Sequence, residues 1–270
     1  ALAGALLVGW RRARLFRREA PTLGGYARGV GVEWVLRRPH LVVLTVAMAG
    51  MPQVLVQEPA WATVWTGVCA IAFLAAGLAS GLPLLIAARI ARPVPEALGA
   101  RVAAMARGMG VGMRGAWIVP WPVANALALI YTRQIVFTER LLEVLDDDEV
   151  DSVTAHELGH VGEPWPAKTG RAVVVVLITL LLLGAPVLFT LGLEAGLAAF
   201  LVLLVTALLV RKLARRMEER ADSVAGEHAV DPLVYARALE KIYEANLVPA
   251  VTGVRHQAHP DLWDRMVTAG

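Results

Sequence analysis

Between Ala172 and Val210 the chain carries one charged residue, Glu194, set inside a Gly192-Leu193-Glu194-Ala195-Gly196 break. A helix needs about 20 apolar residues to cross a bilayer, so this stretch predicts two short spans joined by a tight turn rather than one very long helix. With 57% hydrophobic and 18% charged residues, the chain is too apolar for an ordinary soluble domain and reads as an integral membrane protein, mainly α. Upstream, Ala60 to Ile90 is long enough for one tilted span, with Pro83 expected as a kink near its end. Leu41 to Gln57, which holds Pro52 and Gln53, reads as a shorter span. Four predicted transmembrane helices result, paired as two hairpins.

Basic residues orient them, because short cytoplasmic loops collect Lys and Arg. Arg37 and Arg38 precede the first span, Arg89 and Arg92 follow the second, Lys168 and Arg171 precede the third, and Arg211, Lys212, Arg215 and Arg216 follow the fourth. The turns around Glu58 and Glu194 hold no base. Both hairpins are therefore expected to enter and leave from the cytoplasmic side, in a multi-pass protein of a bacterial inner membrane. The net charge of +3 is explained by these flanks. No basic stripe with interleaved aromatics appears, so no nucleic-acid partner is expected.

The chain opens with apolar Ala1 to Trp10 followed by Arg11-Arg12-Ala13-Arg14-Leu15-Phe16-Arg17-Arg18, the reverse of the charge order of a signal peptide. This end reads as truncated or processed, its basic run lying on the inner membrane surface. The single cysteine, Cys69, falls inside a predicted span, which excludes an intrachain disulfide and cysteine-ligated zinc.

Between the hairpins the pattern changes to a compact α+β unit. Pro95 to Met109 has helical spacing, and Gly110, Gly112 and Gly115 break it. Ala116 to Trp121, Ala124 to Tyr131 and Gln134 to Thr138 are short β-prone runs. A helical turn over Glu139 to Leu145 precedes a helix of about Asp147 to Val161, with Asp146 as N-cap and an acidic first turn that suits the helix dipole.

That last helix contains His156-Glu157-Leu158-Gly159-His160. Residues four apart share a helix face, so His156 and His160 can present two imidazole nitrogens to one metal ion. Glu157 is rotated about 100° from His156 and flanks the metal, where it can act as base toward water activated by zinc. Two histidines leave a tetrahedral site incomplete. A third ligand is sought in Arg215-Arg216-Met217-Glu218-Glu219-Arg220-Ala221-Asp222, where Glu218 and Asp222 share one helix face. Glu218 is the expected ligand and Asp222 the group expected to orient a first ligand from behind, through a histidine N–H. Glu219 points about 100° elsewhere. Glu227 and His228 are weaker candidates.

Taken together, Asn125-Ala126-Leu127-Ala128, the Val136-Phe137-Thr138 run before Leu141-Leu142, Asp148-Glu149, the His156 to His160 motif and Glu218 through Asp222 resemble the HtpX-type membrane zinc endopeptidases, a family that also contains the CAAX prenyl endopeptidases. The resemblance covers about Pro93 to the C-terminus and extends to His259-Pro260 followed by Arg265. It implies a cytoplasmic zincin-like (gluzincin) protease domain of α+β type, one Zn2+ per chain and protein or peptide substrates. It also implies that the Asn125 segment is an edge strand holding substrate backbone, and that His259 and Arg265 contact substrate and transition state. The expected parts are residues 1–92, basic segment and first hairpin; 93–171, first part of the protease domain; 172–210, second hairpin; and 211–270, second part of the protease domain. Glu219 stands where the family usually has an aromatic, and Val161-Gly162-Glu163-Pro164-Trp165 replaces a polar continuation.

The function expected is hydrolysis of peptide bonds at the cytoplasmic membrane face, in membrane-protein quality control or processing. Glu157, His259 and Arg265 are the expected catalytic residues, His156, His160 and Glu218 the metal ligands, and Asn125 the substrate-binding residue. The partners are substrate and lipid bilayer, and a homo-oligomer is compatible with the sequence. Two alternatives are a sensor-transducer protease that cuts a repressor and a CAAX-type processing peptidase. The turns are too short to supply the external domain a sensor needs. A catalytically dead scaffold is the further alternative, and it should have lost a ligand or Glu157.

Overall fold

Leu98, Val102 and Ala106 recur every fourth residue, and in the computed structural model they form the buried face of a helix. The structure describes residues 2–16, 22–43, 45–46, 49–50, 59–190, 192–228 and 232–246. In chain order its named elements are α1 (Leu2–Phe16), α2 (Leu23–Arg37), α3 (Pro59–Ala79), α4 (Leu82–Ala87), β1 (Arg92–Pro93), α5 (Glu96–Gly108), β2 (Gly115–Val119), β3 (Ala126–Leu129), β4 (Gln134–Thr138), α6 (Glu139–Val144), α7 (Asp147–Val161), α8 (Trp165–Thr190), α9 (Leu193–His228) and α10 (Pro232–Asn246). The chain divides into two units. One comprises Ala1–Trp34, Leu84–Gly162 and Arg215–Gly270, the other Val35–Pro83 and Glu163–Ala214.

The first unit holds a four-stranded sheet in the order β1-β2-β4-β3. β2 and β4 run parallel, while β1 and β3 pair antiparallel along the two sides. Among the described residues β3 is thus an edge strand. Arg133, at φ 54°, closes the turn between β3 and β4 in the left-handed region. Ile135 and Phe137 of β4 are fully buried and join Leu98, Val102, Leu141, Val153 and Leu158 in one core. Burying a side chain of this size contributes about 2 kcal/mol, so the core fixes the sheet against α5 and α7.

Thr138 ends β4 and begins α6 with one hydroxyl. Its Oγ1 donates to the Asn125 carbonyl (3.0 Å) and accepts from the amides of Asn125 (3.0 Å) and Leu141 (3.2 Å). A hydroxyl has one proton and two lone pairs, so all its capacity is used. α7 starts with a capping box: Asp146 accepts from the Glu149 amide and the Glu149 carboxylate accepts from the Asp146 amide, both at 3.0 Å. Arg101 of α5 then bonds Asp147 and Asp151, each at 3.0 Å. Burial raises the Asp151 carboxyl above its ordinary value, and Arg101 opposes that rise.

In the second unit α3 packs against α8, and the close approach falls at Gly77, where a Cβ would come within 2.7 Å of Val175. The span expected from Ala60 to Ile90 is corrected here. Its helix stops at Ala79, and Pro83 lies in the first turn of α4 instead of kinking a continuous helix. Proline has no N–H to give the Ala79 carbonyl, whereas the first turn of a new helix has donors to spare. Ser80 takes φ 63° and accepts from the Leu82 amide at 3.3 Å. A Cβ on Gly81 would collide with the Val35 carbonyl.

The apolar run from Ala172 forms α8 and α9, broken at Gly192 with φ 97°. Among the described residues one helix, α9, is long and apolar enough to cross a membrane. Its apolar side chains, including Leu197, Phe200, Leu201, Val205, Leu208 and Leu209, are exposed. The span expected from Leu41 to Gln57 and the turn at Glu58 lie partly or wholly outside the described residues.

Candidate metal centre

The third and fourth turns of α7 are where His156, Glu157 and His160 fall, and all three side chains are buried. The helix phase turns the two imidazoles to one side, with Nε2 atoms 3.2 Å apart. Glu218 of α9 meets them from across the site: its carboxylate oxygens lie 3.4 Å from His160 Nε2 and 3.9 Å from His156 Nε2. Four ligands at about 2.05 Å around a tetrahedral zinc lie about 3.4 Å from one another. The three donors therefore fit a zinc ion in chemistry and in spacing, and they form a group able to hold a metal.

The opposite nitrogen of His156 decides the tautomer. Its Nδ1 lies 3.0 Å from Asp222 Oδ1 and 2.8 Å from the Tyr235 hydroxyl, while that hydroxyl donates to Asp222 Oδ1 at 2.6 Å. With a carboxylate beside it, Nδ1 carries the proton and donates, which leaves the Nε2 lone pair facing His160 and Glu218. Asp222 and Tyr235 are each 1% exposed, so this cluster is shielded from water that would compete for its hydrogen bonds. Tyr235, at the start of α10, has no counterpart in the sequence reading. A tyrosine on an amphipathic helix signals burial and a hydroxyl in need of a partner, but nothing local names a residue 79 positions away.

Two features bring α7 and α9 together. A Cβ on Gly159 would stand 3.2 Å from Ala221 Cα, so glycine inside the histidine motif permits a contact that a larger residue would force apart. Arg220 donates to the Gly159 carbonyl at 2.8 Å and the Gly162 carbonyl at 3.5 Å. These are acceptors in the last turn and at the C-cap of α7, where helix carbonyls lack partners and a cation is favoured.

The remaining expected site residues separate. Asn125 stands just before β3, the strand packed by α7, with its backbone fastened to Thr138. Glu219 accepts from Arg215 at 3.1 Å on the exposed side of α9. Glu227 accepts from Ser223 and His228 Nδ1 lies 3.0 Å from the Val224 carbonyl, so both are engaged within their own helix. His259 and Arg265 lie outside the described residues, as does His256.

Beneath the site, Lys241 of α10 reaches the buried Glu149 carboxylate at 2.6 Å. That hydrogen bond, together with the charges of Glu149 and Asp146, holds the Lys241 ammonium above the usual lysine range. In comparison with known proteins, a model of peptidase family M48 matches residues 95–269. No curated protein matches the chain.

Proposed function

The chain belongs to peptidase family M48, and from that premise we propose that this metallopeptidase is a membrane-embedded zinc endopeptidase of the HtpX type, acting at the cytoplasmic membrane face on membrane proteins. The observation that supports it best is the convergence of His156, His160 and Glu218 with donor atoms 3.2 to 3.9 Å apart. The domain division at residues 1–92, 93–171, 172–210 and 211–270, with apolar hairpins alternating with the two parts of the protease, is part of the same reading. So is the four-helix membrane topology, supported by the exposed apolar residues of α9 and the basic flanks.

His156, His160 and Glu218 would hold the zinc, which when bound would supply Lewis acidity, lowering the pKa of water to about 7 and polarising a carbonyl. Asp222 and Tyr235 keep the His156 proton on Nδ1. Glu157 takes the proton of the attacking water at its carboxylate and returns it to the leaving amine. The strand headed by Asn125 holds the substrate backbone, and His259 or Arg265 meets the developing oxyanion.

Glu157→Gln tests this reading, because glutamine fills the same volume and accepts no proton. Zinc measured on the purified variant should stay near one per chain while casein cleavage falls at least about 100-fold. Full activity removes Glu157 from the mechanism, and loss of metal makes it a ligand instead.

A further inference from the structure

Ala124 and Asn246 face each other as two strand residues would. The Ala124 amide donates to Asn246 Oδ1 at 2.9 Å, and Asn246 Nδ2 donates to the Ala124 carbonyl at 2.8 Å. The residue just after Ala124 has the opposite orientation: the Asn125 carbonyl accepts from the Thr138 amide on β4 at 3.0 Å. Backbone groups alternate sides along an antiparallel strand. From the register of Ala126 with Phe137 and Leu129 with Gln134, Asn125, Leu127 and Leu129 turn toward β4. Ala124, Ala126 and Ala128 turn to the outer edge. The Asn246 carboxamide therefore occupies, at Ala124, the place the next strand would take, while Ala126 and Ala128 follow along the same edge.

We propose that Asn246 is a specificity-determining residue that limits how far an extended substrate can pair with β3. This rests on the proposed function, in which the edge of β3 holds substrate backbone. Ala124 is fully buried, so its amide and carbonyl need partners. The last residue of α10 supplies both from a side chain. A peptide adding itself to the edge finds pairing groups at Ala126 and Ala128 and meets the Asn246 carboxamide in place of a third. The register of the bound peptide is set by that stop, and with it the number of residues on one side of the scissile bond that strengthen binding. Asn246 acts on substrate length and position through its bonds to Ala124.

The test is an N-methyl scan of a casein-derived peptide selected because the zinc-loaded wild-type protein cuts it. Each substrate amide is methylated in turn and KM and kcat are measured. In the wild-type protein two methylations, two residues apart, should raise KM about 3- to 10-fold each, since each removes one edge hydrogen bond. Asn246→Ala should add a third sensitive amide two residues further on, with zinc content unchanged. Three or more sensitive amides at this spacing in the wild-type protein overturn the proposal, and that measurement stands even where Asn246→Ala fails to fold. A folded Asn246→Ala with the same two sensitive amides overturns it as well. Insensitivity of every amide in the wild-type protein removes the edge-strand reading itself.

Discussion

The Tyr235 hydroxyl donates to Asp222 at 2.6 Å and, through the same oxygen, stands 2.8 Å from His156 Nδ1. A proposed metal ligand is thus oriented by two groups from two helices. Asp222→Ala should weaken zinc about 10- to 100-fold. Tyr235→Phe, which keeps the ring and removes the oxygen, should lie at the low end, about tenfold. Competition with a chelator measures both, and unchanged zinc affinity in Tyr235→Phe reduces the hydroxyl to packing.

Helical phase separates the neighbouring glutamates of α9. Glu218→Ala should strip the zinc or weaken it beyond the Asp222 variant, because it removes a proposed ligand rather than its support. Glu219→Ala breaks an exposed pair with Arg215 worth less than about 1 kcal/mol, and should leave both zinc content and thermal midpoint nearly unchanged. The reverse order of damage would move the third ligand by one residue.

The N-cap of α7 predicts an acid-sensitive contribution. The amide of Glu149 and the nearby Lys241 hold the Asp146 carboxyl below its ordinary value. A carboxyl lowered on folding contributes stability above its unfolded pKa, about 3.9, and loses it as pH falls through the lower folded value. Asp146→Ala should therefore cost about 1 kcal/mol at pH 7. The gap between variant and wild-type thermal midpoints, measured on zinc-free protein, should narrow below about pH 4. An equal gap at both pH values would assign the loss to something other than the charged cap.

Topology is testable through the single native cysteine. In a Cys69→Ser background, a cysteine at Glu194 should react with an impermeant thiol reagent in intact cells, and one at Asp148 should react once membranes are opened. Both positions are exposed, so access to each depends on the side of the membrane. Labelling at Asp148 in intact cells would put the substrate pool on the other side.

The parts legible in the sequence are those governed by local periodicity. The four-residue spacing of His156 and His160, the shared face of Glu218 and Asp222, the Asp146 cap and the apolar face of α5 all follow from the helix repeat. The three strands β2, β3 and β4 follow from short β-prone runs between turn signals. Tyr235, Arg220 and Asn246 were not legible, because each acts on a residue far along the chain and none has a local signature of that task. The break before Pro83 was misread for a related reason. Proline in an apolar run signals a disturbed helix, and whether the helix bends or restarts is not written in the local sequence.

The distribution of the three proposed zinc donors along the chain has a further consequence for biogenesis. His160 and Glu218 meet across 3.4 Å, yet the whole apolar run from Ala172 to Val210 is translated between them. A nascent chain that has emerged only as far as Val210 holds both histidines and no third donor. Zinc capture at the proposed three-donor site therefore waits until that run has left the ribosome.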